Sequence, residues 1–242
     1  MKTKCVTTIK NQKNKEYKCS EFVSFIIICD SPGYRMKSYG ASPLLDIGNL
    51  KLLDIQIKAI KNCFTNFEII LCVGFDSSSI IKYVRNNLKN INIRIVENQL
   101  YEQTNSCESL RLSLNNICNN KVFVLDGSLV LNENIFHNFS TKDNVLFSQT
   151  KQNDFEIGFN INENNVIEHV SFGASNIWSE ILYTNNATDG MKKLLFNGSY
   201  KKKLIFELIN DLIQSKYSFK AKIHKHNLEK VNNIKTYHNL RK

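Results

Sequence analysis

Apolar residues fall in short unbroken blocks in the first half of the chain and in shorter alternating blocks in the second. Residues 22–29 (Phe-Val-Ser-Phe-Ile-Ile-Ile-Cys) have strand length and run into the turn-forming Asp30-Ser31-Pro32-Gly33. An apolar run of that length, bounded by turn residues, suits a strand covered on both faces in a parallel sheet. Leu52, Leu53, Ile55, Ile57, Ala59 and Ile60, mixed with Lys and Gln, predict a buried helix over 50–62. Residues 67–74 predict a second buried strand, 78–88 a second helix, 91–96 a short strand and 106–117 a helix. Residues 121–125 predict a central strand that ends at Asp126-Gly127. Strand and helix alternate throughout this half, which predicts a doubly wound, mostly parallel α/β sheet with right-handed crossovers and helices on both faces. Beyond residue 140 the alternating blocks 144–150, 155–161 and 166–172 predict antiparallel strands that extend the sheet. Leu204, Ile205, Leu208, Ile209, Leu212 and Ile213 lie at helical spacing within 202–214.

Open parallel sheets bind ligands beyond the carboxyl ends of their strands. The loops at Asp30 and Asp126 both lie at such ends. The first contains Ser31-Pro-Gly33-Tyr-Arg35-Met36, then Ser42-Pro43-Leu44-Leu45. The second strand is followed by Val73-Gly74-Phe75. The segment from Asn98 reads Asn-Gln-Leu-Tyr101-Glu-Gln-Thr104-Asn105-Ser106-Cys-Glu-Ser109-Leu110.

In their order these segments resemble the nucleotidyltransferases that join an NTP to a sugar phosphate or phosphocholine. Those enzymes carry G-x-G-x-R-[LM] and K-P-L after the first strand and V-G-Y after the second. The phosphocholine cytidylyltransferase-like branch adds N-x-x-Y-x-x-T-N-x-x-x-S-L. The resemblance covers roughly residues 22–240 and implies a Rossmann-like, GT-A-type fold. It makes residues 21–242 the nucleotidyltransferase-like domain, behind a basic extension over 1–20. It also makes Ser31, Gly33, Arg35, Ser42, Thr104, Asn105, Ser109 and Asp126 candidate nucleotide-binding residues. Thr104-Asn105-Ser106 can equally be read as a helix cap whose side-chain oxygens accept orphan amides.

The charged positions depart from the family pattern. Such a loop closes backbone amides on a triphosphate while an Arg and a Lys stabilise the departing charge. Gly33 and Arg35 remain, but Ser31 stands for the first glycine and Ser42 for the lysine before Pro43. Asp30 adds a negative charge beside the phosphates. The carboxylate that holds Mg²⁺ in the family falls two residues after the Asp/Asn at the strand end, on Ser128, which leaves Asp126 as the candidate metal ligand and, with Arg35, as the candidate catalytic pair. A second family carboxylate, in E-I-D-T-x-x-D-L, is matched by Asn233-Ile234-Lys235-Thr236-Tyr-His-Asn239-Leu240, with Lys235 in place of the acid. Phosphoryl chemistry depends on positioned charge, and losing one such group costs about 10²–10³ in rate. The resemblance therefore implies either an impaired or inactive relative kept as a nucleotide-binding or assembly module, or an Mg²⁺-dependent enzyme with relocated ligands making an NDP-sugar or CDP-choline-type product.

Composition adds a third reading, a basic protein that binds nucleic acid or a virion component. The net charge of +10 favours phosphates, an acidic protein or nucleic acid, and the basic residues cluster at 2–18, 201–203 and 220–242. No groove-reading motif accompanies them. The seven cysteines form no CxxC pair, several lie within apolar blocks, and they predict a reducing cytoplasm. No segment has the length and hydropathy of a membrane span, and no leader precedes the first block. His224, His226 and His238 are read as solvated surface residues, Cys29 as a thiol without a base, and Trp178, with Phe172 and Tyr183, as packing for the extension.

Overall fold

The computed structural model describes residues 19–149, 156–224 and 228–241. The strand β1 (Val23–Cys29) enters the sheet first, and its alternate side chains feed two separate cores. Val23, Phe25, Ile27 and Cys29 face one core and Ile26 the other. This is why the run reads as continuously apolar: both faces are covered. A short ribbon of β2 (Asp46–Ile47) and β3 (Leu50–Lys51) leads into α1 (Leu52–Cys63), whose Leu53, Ile57 and Ile60 cover the first face. Next come β4 (Phe67–Val73), α2 (Ser77–Asn87), β5 (Ile93–Glu97), α3 (Ser106–Leu114) and β6 (Val122–Asp126). The parallel strands run in the order β6-β1-β4-β5. Phe25 and Phe123 stack with ring centroids 4.7 Å apart on the α1 face.

The remaining elements turn back across β6. They are β7 (Leu129–Val130), β8 (Asn144–Gln149), β9 (Ile157–Ile161), β10 (Ile167–Phe172), β11 (Asn176–Thr184), α4 (Thr188–Leu195), α5 (Ile205–Gln214), β12 (Phe219–Ile223), β13 (Glu229–Lys230) and α6 (Ile234–Leu240). The expected antiparallel extension is present: β11 runs antiparallel to β6, β8 and β9, and β10 to β9. Within it β12 pairs with β8 in parallel, which the alternation of polar and apolar residues does not reveal. Helices α3, α4 and α5 cover the second face through Leu110, Met191, Leu208 and Leu212. The helix expected over 202–214 begins at Ile205, after a 3₁₀ turn over Gly198–Lys202.

A third, smaller core joins the loop after β1 to the end of the chain through Met36, Leu45, Leu52, Val231 and Tyr237. It seats the C-terminal segment against the strand ends. Among the described residues no helix is long and apolar enough to cross a membrane. Residues 1–18 of the basic extension over 1–20, and Thr150, Phe155, Lys225, His226 and Lys242, lie outside the described residues.

Candidate functional site

A cleft of about 430 Å³ opens beyond the carboxyl ends of β1 and β6, the position that a sheet of this topology offers to a ligand. Its floor is set by strand register: Ile28 of β1 pairs with Asp126 of β6, so Asp30 and Asp126 emerge side by side. The turn after β6 can approach β1 only because residue 127 is glycine. A Cβ there would lie 2.3 Å from Cys29 Sγ and 2.7 Å from the Ile28 carbonyl. Gln56, fully buried on α1, donates to the carbonyls of Asp126 (3.2 Å) and Leu129 (2.9 Å) and clamps this turn from beneath.

Three charged side chains meet on the floor. Lys230 Nζ lies 2.9 Å from Asp126 Oδ2 and 2.6 Å from Glu180 Oε2. The Ser128 amide (2.7 Å) and hydroxyl (2.5 Å) both donate to the other oxygen, Asp126 Oδ1. Two backbone features create this junction. Glu180 sits where the pairing of β11 with β8 shifts register, with φ at +55°, a left-handed conformation that a non-glycine residue adopts only under constraint. Lys230 is delivered by pairing of β13 with β7, opposite Leu129, and the Val231 amide donates to the Ser128 carbonyl.

The groups divide their protons unequally. Burial works to raise Asp126, but the charge of Lys230 and the Ser128 hydrogen bonds outweigh it and hold the carboxyl below its ordinary range. Burial and then the charge of Asp126 push Glu180 up. Burial works against the ammonium of Lys230, yet the two carboxylates raise it and keep it charged. Burial also raises Asp30, opposed by a short hydrogen bond donated by Ser109 Oγ. Burial and then the charge of Asp126 push the Cys29 thiol well up, which disfavours the thiolate that a nucleophile requires.

Of the residues singled out from the sequence, Ser31, Gly33, Ser42, Thr104, Asn105 and Asp126 line this cleft together. Ser42 donates to the Ser31 carbonyl at 3.4 Å. Thr104 accepts from Asn98 Nδ2 (3.1 Å) and donates to the Leu100 carbonyl (2.9 Å). The capping alternative holds in part: Asn105 precedes α3 without a side-chain cap and donates instead to the Lys202 carbonyl at 2.6 Å, whereas Ser106 Oγ accepts from the Ile205 amide at the start of α5 (3.2 Å). Ser109 is buried behind the cleft, where it joins Asp30 to Asn98. Arg35, also left-handed at φ +57°, is exposed and not among the lining residues, with its guanidinium 4.9 Å above the Tyr34 ring.

Lys235, by contrast, lies exposed on α6 away from the cleft. The tail residues that reach the site are Lys230 and Asn232. The Tyr34 amide donates to the Asn232 carbonyl at 3.0 Å, and Gly33 adopts φ +79°, a conformation that L side chains rarely take, with a Cβ there meeting the Asn232 carbonyl oxygen at 3.1 Å. The positions of the tail that meet the cleft therefore lie three to five residues before Lys235, within Lys230-Val231-Asn232-Asn233. The sequence carries a signal for that placement: Asn233 caps α6 by accepting from the Thr236 amide at 3.0 Å, the N-cap spacing Asn-x-x-Thr. Trp178 packs in the extension as expected and donates to the Ile181 carbonyl, but it also lines the cleft with Ile157 and Phe206. Tyr183 is core, and Phe172 is exposed against Phe206.

The donor set does not fit Mg²⁺. That ion takes near-octahedral oxygen ligands at about 2.0–2.1 Å, and here an ammonium already contacts both carboxylates while Ser128 is spent on Asp126. Among the described residues no group of three His, Cys, Asp or Glu side chains could hold a metal ion. His224 and His238 instead pair with Ser179 and Tyr39.

No protein-family model matches the chain, and no curated protein matches it significantly. Solved structures do. CTP:phosphocholine cytidylyltransferase (LicC) from Streptococcus pneumoniae superposes with a TM-score of 0.75 at 18% identity, over 90% of this chain and 97% of that one. The nucleoside-diphosphate-sugar pyrophosphorylase from Vibrio cholerae RC9 gives 0.72 at 13% identity, over 89% and 98%. The inositol-1-phosphate CTP transferase from T. maritima gives 0.70 at 14%, over 89% and 93%. The fold is that of the nucleotidyltransferases.

Proposed function

We propose that this chain binds a nucleotide or another phosphorylated ligand in the cleft and does not carry out Mg²⁺-dependent nucleotidyl transfer. One observation carries the reading: the ammonium of Lys230 lies between Asp126 and Glu180 and neutralises the two carboxyl groups at the cleft floor that could otherwise hold a cation. Supporting it, Ser42 stands in place of the leaving-group lysine, Asn232 in place of the tail carboxylate, and Arg35 is exposed, set over the Tyr34 ring and not among the residues that line the cleft. What remains suits binding. The loop Ser31–Gly33 presents backbone, Thr104 and Asn105 present polar side chains, and Ile157, Trp178 and Phe206 present an apolar wall. Such a mixture of apolar lining with a few polar groups is the usual make-up of a small-molecule site.

A second reading draws on the same junction. Asp126 and Glu180 are two carboxylates in reach of one another, and an enzyme that used them as relocated metal ligands would have to swing Lys230 away. The two readings separate on pyrophosphate release. With each of the four NTPs, Mg²⁺, and sugar 1-phosphates or phosphocholine, the first expects no release above a protein-free control. Release that disappears in Asp126→Asn favours the second.

A further inference from the structure

The fold implies a divalent cation that the donor set does not accommodate, and the misfit itself has a consequence. Lys230 is not a surface lysine that has drifted onto a carboxylate. Its backbone is fixed by the β13–β7 pairing and by the Val231 amide on the Ser128 carbonyl. Its ammonium contacts one oxygen of each acid, and about 30% of its side chain remains exposed, so solvent and ions can reach the junction. Asp126 is independently aimed there by Ser128, and Glu180 by the bulge in β11. The Asp126 carboxylate is therefore held in place by a group other than the lysine, and the backbone that carries Glu180 is fixed by the bulge. A pair so held, with its ammonium removed, presents hard oxygen ligands to a divalent ion.

We propose that Lys230 is a built-in cation: its ammonium takes the place of a divalent metal between Asp126 and Glu180, keeps such ions out, and masks a latent metal site that its removal exposes. This rests on the reading of the cleft as a transferase-fold site without its metal, and takes that reading one step further.

The test uses Mn²⁺ alone as the probe, followed by electron paramagnetic resonance on the full-length protein without nucleotide. Wild type is expected to bind no Mn²⁺ at the cleft at about 1 mM, whereas Lys230→Met gains a site at least about tenfold tighter, as two free carboxylates require. The gain should vanish in Lys230→Met/Asp126→Asn, and Lys230→Arg should exclude the ion as wild type does. Equal Mn²⁺ binding by wild type and Lys230→Met, no gain in Lys230→Met, or a gain that survives Asp126→Asn each overturns the proposal. If Lys230→Met loses cooperative unfolding, Lys230→Gln carries the same comparison with a side chain that still hydrogen-bonds. Because no nucleotide is present, a failure here leaves nucleotide binding standing, and a failure to bind nucleotide leaves this proposal standing.

Discussion

At the scale of single residues, the cleft is governed by which carboxyl keeps a proton. Asp30 is raised by burial and restrained by the hydroxyl of Ser109. Its native value lies above its unfolded one, so between the two the native state holds a proton that the unfolded chain has shed. Stability therefore falls as pH rises from the ordinary aspartate range through the raised value. Ser109→Ala removes the bond that favours the charged form and widens that window. It also leaves Asp30 and Asn98 short of a buried partner. The variant should lose about 1–3 kcal/mol in urea unfolding at neutral pH, and less of it near pH 4, roughly where aspartate titrates in the unfolded chain. An equal loss at both pH values would show that Asp30 is not the group Ser109 serves. Neither Glu180 nor Lys230 could be picked out by residue type, since the chain has many acids and lysines. Their importance comes from a bulge and a short pairing that tertiary contacts impose.

At the scale of elements, the strands carried most of what was legible. The runs at 22–29, 67–74 and 121–125 match β1, β4 and β6 closely because burial on both faces leaves a mark in every residue. Helix α4 and strand β12 left weaker marks: α4 holds only Thr188, Gly190, Met191 and Leu195 buried, and β12 alternates Lys with apolar residues. The turn from β6 to β7 is the element on which the site most depends. Gly127→Ala forces a Cβ against Cys29 and the Ile28 carbonyl, and overpacking of that kind costs about 1–3 kcal/mol. Because the displaced turn carries Asp126 and Ser128, the same variant should weaken any ligand binding in the cleft by more than its stability loss implies. Chemical denaturation paired with a binding measurement separates the two. Binding unchanged in a destabilised variant would mean that Asp126 takes no part in shaping the cleft.

At the scale of the whole molecule, the fold and the location of the cleft follow from the order of blocks and loops, while the state of its chemistry does not. Ser31, Gly33, Ser42, Thr104, Asn105 and Asp126 were legible as a group because they follow strand ends or open a helix, and the topology gathers such positions. The tail was legible only in outline, since its contribution depends on a register that Met36, Leu45, Leu52, Val231 and Tyr237 fix by packing. That packing is what turns the C-terminal segment inward and brings a lysine, rather than an acid, to the floor. Binding of a nucleotide or another phosphorylated ligand in the cleft without a divalent cation is read from the thermal unfolding of wild type with each of the four NTPs, a sugar 1-phosphate and phosphocholine, in excess Mg²⁺ and again in EDTA. A ligand at about 100 times its Kd stabilises the native state by roughly 2.7 kcal/mol, so binding is visible as a rise in Tm. At least one of these ligands should raise Tm equally in EDTA and in Mg²⁺; a rise that appears only with Mg²⁺, or none with any of them, overturns the reading.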